Sequence, residues 1–216
     1  VTFKDFEAAI DRITAGIERK SKVLAPMEKK KTAYHEAGHV IASHFLPFAD
    51  PILKVSIVPR GKGLGVTQYL PEDKYLLTTE QINDKMSMAL GGRVAEEIIF
   101  GSITSGAADD LDKVTKMAYS QVSFYGMNKK VGPLSFPREG SSLKPYSEET
   151  AEIIDSEVRS LVDLAYQRTK QILTDKKDLL ERVAQSLLDK EVLNAEDLKS
   201  ILGEKVKESM QKGTPA

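Results

Sequence analysis

Residues 33–40, AYHEAGHV, place two of the chain's three histidines four positions apart, with a glutamate directly after the first. On an α-helix four residues turn through about 400°, so His35 and His39 lie about 40° apart on one face and can hold one metal ion between their imidazoles. The motif therefore requires a helix at this point. The apolar spacing of residues 27–45, with prolines at positions 47 and 51 behind it, predicts that helix.

The composition limits which other groups can complete a metal site. The chain of 216 residues has no cysteine, which excludes thiolate ligands and disulfides. Its 31 basic and 32 acidic residues are interspersed, so it has no broad basic surface, and we expect no nucleic-acid partner. No apolar run approaches the roughly 20 residues needed to cross a bilayer.

Hydrophobic periodicity along the chain predicts a mainly α fold. Short strands in LKVSIVP and VTQYLP predict a small β-ribbon, and a near-heptad apolar stripe after Ser147 predicts a C-terminal bundle of long helices. The predicted helices cover residues 2–21, 27–45, 79–100, 107–125, 147–172 and 178–190, and a short last helix follows Asn194.

A catalytic zinc ion takes three protein ligands, so one more is needed. His44 lies five positions after the second histidine and points about 140° away from it on the same helix, which removes it. The metzincin pattern H-E-x-x-H-x-x-G-x-x-H is also excluded, because Ala42 and Phe45 occupy the positions of its glycine and third histidine. A glutamate on a helix some twenty residues downstream also fails, because the region around Val58 and Pro59 is predicted to be strand and turn. The remaining ligand is therefore a distant carboxylate.

Two acidic clusters qualify as that carboxylate. One is Glu96 and Glu97 near the end of the third predicted helix, and the other is Asp109, Asp110 and Asp112 at the start of the next. The glutamates have a structural alternative in pairing with Arg93, and the aspartates have one in stabilising the first turn of their helix. Short side chains beside a glycine loop favour the aspartates, but the residues alone leave both clusters open.

Five motifs in order resemble the peptidase domain of FtsH-type ATP-dependent membrane zinc proteases. They are TAYHEAGHVI, LKVSIVPRGKGLGVTQYLPE, MALGGRVAEEIIFG, TSGAADDLDKVTKMA and YGMNKKVGPLSF, and the similarity spans residues 1 to about 203. The segments ADPILKVSIVPRGKGLG and YLPEDKYLLTTEQ are most similar to the mitochondrial m-AAA, or paraplegin-like, subgroup. The resemblance implies a helical metallopeptidase domain.

The resemblance also implies the site residues. The third ligand of Zn²⁺, besides His35 and His39, is the aspartate of the family pattern T-[ST]-G-A-x-[ND]-D-[LIF], which is Asp110. The position before it accepts asparagine in the family, so Asp109 is not the ligand. The glutamates of GGRVAEE are implied to lie near the site without binding the metal. Glu36 is implied to be the general base and a zinc-bound water the nucleophile. Because the two histidines, Glu36 and Asp110 are all present, nothing marks the chain as an inactive subunit.

The implied activity is that of a metalloendopeptidase that degrades unfolded or misassembled membrane and matrix proteins in protein quality control. The family assembles as a homo- or hetero-hexamer of like subunits. The implied location is the mitochondrial inner membrane, with the peptidase domain facing the matrix, in preference to a bacterial or plastid membrane.

The family also implies parts that this sequence does not contain. It shows no G-x-x-x-x-G-K-[ST] phosphate loop, so ATP is expected only in a missing AAA module, and membrane contact only through segments absent from this chain. Residues 1–25 resemble the last lid helix of that module plus a linker. Residues 26–203 are then the peptidase domain and residues 204–216 a flexible tail.

The strand around residues 65–70 is the expected docking site for an extended peptide. Main-chain hydrogen bonds at its edge would involve Gly65, Val66, Thr67 and Gln68, although the glycines of GKGLG also suit a simple hairpin turn. Two other functions compete with proteolysis: a non-catalytic oligomerisation domain in which zinc staples two helices, and a metal hydrolase that does not cut peptides.

Overall fold

The computed structural model of the chain describes residues 9, 12–13, 16–18, 24–61, 63–70, 76–136 and 145–205. The helix predicted over residues 2–21 and the tail predicted over residues 204–216 lie largely outside the described residues. The division of the chain at residues 25 and 203 remains a prediction.

The described part of the chain is mainly helical, as predicted. In order, the elements are α1 (Pro26–Phe45), β1 (Ile52–Ser56), β2 (Val66–Tyr69), α2 (Thr79–Phe100), α3 (Ala108–Tyr119), α4 (Glu148–Asp175), α5 (Lys177–Lys190), β3 (Val192–Asn194) and α6 (Ala195–Leu202). None of the described helices has both the length and the apolar character of a bilayer-spanning segment.

Local sequence signals account for most of the helix ends. Helix α2 begins with a capping box, in which the Thr78 side chain accepts from Gln81 N–H and the Gln81 side chain accepts from Thr78 N–H. It ends at Gly101, whose φ of 63° lies in the left-handed region that glycine adopts without strain. The short helix predicted after Asn194 is α6, and it begins with a capping box of Asn194 and Asp197.

Helices α1 and α2 cross at a contact between glycines. A Cβ atom at Gly38 would collide with the carbonyl oxygen of Gly91, and one at Gly91 would lie 2.5 Å from the carbonyl oxygen of Gly38. Only residues without side chains permit this distance between the two backbones. The crossing therefore brings the face of α1 that carries the two histidines directly against α2.

Helix α4 packs along the other side of α2 through polar as well as apolar contacts. The fully buried carboxylate of Asp84 accepts from Arg168 at 2.6 Å and from the backbone N–H of Phe48 at 2.9 Å. One helix turn further along, the Thr169 hydroxyl donates to the Ser87 carbonyl at 2.9 Å. These bonds satisfy polar groups that would otherwise destabilise the buried interface.

The strands form one antiparallel sheet in the order β2-β1-β3. Val55 in the central strand β1 lies between Thr67 of β2 and Leu193 of β3, and the side chains of Val55 and Leu193 are fully buried. The sequence predicted only a two-stranded ribbon, because β3 has three residues and forms by pairing with a strand about 140 positions earlier in the chain. Strand β2 is left at the edge of the described sheet.

The helix predicted over residues 107–125 is divided in the structure. A 3-10 turn at Ser105–Ala107 precedes α3, and a π-helical turn at Ser120–Phe124 follows it. The hydroxyls of Ser120 and Ser123 donate to carbonyl oxygens four residues earlier. Such bonds compete with the α-helical ladder and loosen it, which accounts for the wider turn.

Candidate metal centre and active site

Three side chains from two helices converge on one point. The Nε2 atoms of His35 and His39 lie 3.1 Å apart, and Asp110 Oδ2 lies 3.3 Å from the first and 3.4 Å from the second. Ligand atoms bound tetrahedrally to zinc at about 2.0–2.1 Å are roughly 3.3 Å from one another. The three atoms therefore form a triangle of the size that a zinc ion requires, and within the described residues they are the group suited to hold a metal.

Hydrogen bonds on the far side of both rings set the histidine tautomers. His35 Nδ1 donates to Glu96 Oε1 at 2.8 Å, and His39 Nδ1 donates to the backbone carbonyl of Met88 at 3.0 Å. Since both acceptors lack a proton, each Nδ1 carries a hydrogen, and in the neutral form of each ring Nε2 presents its lone pair to the centre of the triangle, where a metal ion would displace any proton.

Glu96 connects the histidine helix to the loop before Asp110. Its carboxylate is 2% exposed and also accepts from the backbone N–H of Thr104 at 2.7 Å and from the Thr104 hydroxyl at 3.1 Å. Burial raises the pKa of Glu96, but the bonds from His35 and Thr104 outweigh it, so the pKa is lowered. An ionised Glu96 thus orients one ligand directly and helps to fix the turn from which α3 and Asp110 begin.

The electrostatics of the site favour a cation at its centre. Burial lowers the pKa of His35, yet the bonds with Asp110 and Glu96 prevail and raise it to about 10. Burial likewise raises the pKa of Asp110, and the bonds with His35 and His39 overcome that effect and bring it far below its usual range. The same carboxylates that favour a positive charge on His35 are suited to a divalent metal ion.

Two glycines leave the space that these side chains occupy. A Cβ atom at Gly92 in α2 would collide with Nε2 of His35. One at Gly65, just before β2, would lie 2.6 Å from Oε1 of Glu36. Larger residues at either position would displace a ring nitrogen of the ligand triangle or the carboxylate beside it.

Glu36 is buried next to the ligand triangle without contributing to it. The residue is 6% exposed, and its Oε2 atom accepts a hydrogen bond from the Thr67 hydroxyl at 2.7 Å. A buried carboxylate beside these three side chains, with a neutral hydroxyl as its hydrogen-bond donor, has the position of a general base.

The predicted peptide-binding residues lie along the strand that faces Glu36. Gly65 and Thr67 contact the Glu36 carboxylate. Because side chains alternate along a strand, Val66 and Gln68 project to the opposite face of the sheet. Leu70 N–H donates to the Pro51 carbonyl. Because backbone groups alternate in direction along a strand, those of Gln68 also point to β1, and those of Thr67 point to the opposite, open edge, which no other strand of the described residues covers.

The other acidic candidates have different partners. Glu97 pairs with Lys170 at 2.8 Å and Asp112 pairs with Lys116 at 2.8 Å, while Asp109 is exposed. The Arg93 pairing considered for the glutamates does not form, because Glu96 bonds instead with His35 and Thr104. The ring of His44 packs against Phe45 and does not join the ligand triangle.

Sequence reasoning missed three groups at this site: the Thr104 bonds to Glu96, the Met88 carbonyl and the Thr67 hydroxyl. The Met88 carbonyl and one of the two Thr104 donors are backbone groups, which every residue type has, so the sequence does not indicate them. Side chains alternate along a strand, so Thr67 and Tyr69 share one face of β2, but the sequence does not indicate which helix that face meets.

Replacing Glu96 by glutamine is expected to lower zinc affinity roughly tenfold, because an amide cannot accept both the His35 and the Thr104 bonds as an ionised carboxylate does. Competition of the purified protein with a fluorescent zinc chelator measures the change. Glu97→Gln, which alters the adjacent carboxylate and only its Lys170 pair, is the matched control and should bind zinc as the unsubstituted chain does. Equal affinities in the two variants would contradict the role given to Glu96.

Comparison with known proteins gives consistent matches over nearly the whole chain. The model of peptidase family M41 matches residues 22–201. The chain is 58% identical over 204 residues to the mitochondrial inner membrane m-AAA protease component AFG3L2 of Mus musculus, an alignment covering 93% of this chain and 25% of that protein.

Two further relatives come from a bacterium and a yeast. The chain is 52% identical over 210 residues to the ATP-dependent zinc metalloprotease FtsH of Rhodothermus marinus, covering 94% of this chain and 30% of that protein. It is also 52% identical over 202 residues to the m-AAA protease component yta12 of Schizosaccharomyces pombe, covering 92% and 26%. The chain thus spans between 25% and 30% of the length of these three relatives.

Proposed function

We propose that this chain, which belongs to peptidase family M41, is a zinc-dependent endopeptidase domain. The family membership confirms the resemblance found in the sequence. The observation that carries the proposal is the triangle of His35, His39 and Asp110 with the buried carboxylate of Glu36 beside it. Those three side chains would hold the zinc ion.

The chemistry follows from the positions of the side chains. A zinc ion bound at the triangle supplies Lewis-acid activation of water and of the scissile carbonyl. Glu36 accepts a proton from the attacking water as its oxygen adds to the carbonyl carbon. The same carboxyl group then donates that proton to the amide nitrogen, the C–N bond breaks, and the products are a carboxylate and an amine. Glu96 holds His35 in its orientation throughout.

The open edge of β2 is the proposed site for the substrate backbone. An extended peptide can add there as a further strand through residues 65–68, and main-chain hydrogen bonds give binding with low sequence selectivity. Support comes from the position of this edge, whose residue Thr67 contacts Glu36 directly. A peptide paired with the edge would therefore lie beside the general base.

We further propose that the chain acts as part of a larger assembly like those of its relatives. Their names describe ATP-dependent zinc metalloproteases and m-AAA protease components of the mitochondrial inner membrane. For this chain the corresponding proposal is a hexamer of like subunits at that membrane, with the peptidase facing the matrix and unfolded polypeptides as substrates. ATP would act in an AAA module of that assembly.

The geometry argues against zinc as a mere structural staple. A structural zinc site uses four protein ligands, whereas the described residues supply three. Glu36 also has no part in such a site, yet it is buried next to the ligands.

Zinc-dependent cleavage of peptides is the expected result that tests this function. The zinc-loaded protein should cut unfolded casein and members of a peptide library, lose that activity in a chelator such as 1,10-phenanthroline, and recover it when zinc is restored. Mass spectrometry of the products measures each step. Hydrolysis of simple esters with all peptides left intact would contradict the proposal and favour a different metal hydrolase.

A further inference from the structure

We propose that Thr67 is a positioning residue for Glu36, and that its hydroxyl couples the orientation of the general base to the strand on which the peptide docks. The inference rests on the proposed function, since it assigns a role to a side chain next to the same site. It adds to the backbone role expected of residues 65–68, because the side chain of Thr67 acts here and not its main chain.

The segment around Thr67 constrains both oxygens of the Glu36 carboxylate. The Thr67 hydroxyl donates to Oε2 at 2.7 Å, a length typical of a strong bond to a charged acceptor. Oε1 lies close to the backbone of Gly65, where even a methyl group would come within 2.6 Å of it. One short piece of chain thus holds Oε2 by a hydrogen bond and leaves little free space beside Oε1.

The hydroxyl itself is held rigidly. Threonine is branched at Cβ, so its side chain has few accessible rotamers in a strand. Thr67 also lies in one cross-strand row with Val55 and Leu193, whose side chains are fully buried. Moving the hydroxyl away from Glu36 would therefore require a change of the Thr67 rotamer or a shift of the sheet.

Thr67 has two different neighbours because a strand presents its side chain and its backbone in different directions. The side chain faces α1 and Glu36. The backbone N–H and C=O face the open edge, as the bond from Leu70 N–H to the Pro51 carbonyl fixes the alternation. A peptide that pairs with this edge would hold Thr67 in place, and through its hydroxyl it would hold the base in the orientation needed for proton transfer.

Thr67→Val and Thr67→Ser test the role of the hydroxyl. Valine keeps the shape and the strand backbone, so kcat for a fluorogenic peptide should fall about tenfold while KM stays within about twofold and zinc affinity is unchanged. Serine restores the donor and should bring kcat back to within about threefold of the unsubstituted protein. The measurements use the intact protein loaded with zinc.

Thr115→Val is the matched control, because the exposed Thr115 hydroxyl donates only to the Leu111 carbonyl within α3. It should leave kcat and KM unchanged. A kcat for Thr67→Val equal to that of the unsubstituted protein would overturn the proposal, as would a loss that Thr67→Ser fails to restore.

Crystal structures of the unsubstituted protein and Thr67→Val give a second readout that does not depend on activity. We expect the Glu36 carboxylate to leave its position or to adopt several rotamers in the variant. An unmoved carboxylate would overturn the proposal. If the unsubstituted protein cleaves no peptide, the proposed function fails, and the position of Glu36 in the two structures still decides the role of Thr67.

Discussion

Glu36→Gln is expected to abolish peptide hydrolysis while zinc stays bound. Glutamine has nearly the same shape and can still accept from the Thr67 hydroxyl, but its amide cannot take a proton from water. General acid–base catalysis contributes up to about 10⁴-fold, so we expect cleavage of casein to fall by at least about a thousandfold. Zinc content is measured on the same samples by inductively coupled plasma mass spectrometry.

Glu97→Gln is the control for this substitution. It makes the same chemical change on α2, where the carboxylate pairs with Lys170 instead of facing the ligand triangle. Its cleavage rate should match that of the unsubstituted protein. Undiminished casein cleavage by Glu36→Gln would eliminate Glu36 as the base and reopen the function of a zinc-stapled oligomerisation domain.

Asp110→Ala is expected to have the largest effect on zinc binding. It removes one of three ligands and leaves the two histidine nitrogens without the negative charge that offsets the metal ion. Zinc binding energies of about 10–16 kcal/mol in four-ligand sites imply a loss of roughly a hundredfold to a thousandfold for one ligand. Activity should disappear with the metal at zinc concentrations that saturate the unsubstituted protein.

The neighbouring acidic residues provide an ordered comparison. Asp109→Ala alters an exposed side chain at the adjacent position and should retain both zinc and activity. Glu96→Ala removes a carboxylate that orients His35 and should give an intermediate zinc affinity. Normal zinc content in Asp110→Ala, with a deficit in Asp109→Ala, would refute the assignment of the third ligand.

The predicted fold agreed with the structure wherever its signals were local. The helix carrying His35 and His39 and the helix starts after Thr78 and Asn194 each depend on residues within one or two turns. Of the two missed features, one depends on a distant partner and the other on local side-chain bonds. Strand β3 forms only by pairing with β1, and the π-helical turn after α3 reflects bonds from serine hydroxyls to the helix backbone, which a hydrophobic pattern does not reveal.

Residue spacing and composition alone predicted that one face of α1 carries both histidines with Glu36 beside them, and that neither a thiolate nor His44 could complete a metal site. Those conclusions follow from helix geometry and from composition, which are properties of the chain alone. Its residues left two acidic clusters open, and resemblance to a family pointed to Asp110.

The packing of the helices fixes where each acidic cluster lies and which groups it contacts. The glycine contact between α1 and α2 brings Glu96 behind His35, and the turn at residues 105–107 aims Asp110 at the front of the same ring. Seventy-five positions separate His35 from Asp110 in the sequence. Which of several distant carboxylates meets a given histidine depends on how helices pack, and that depends on contacts summed over the whole core and not on any one segment.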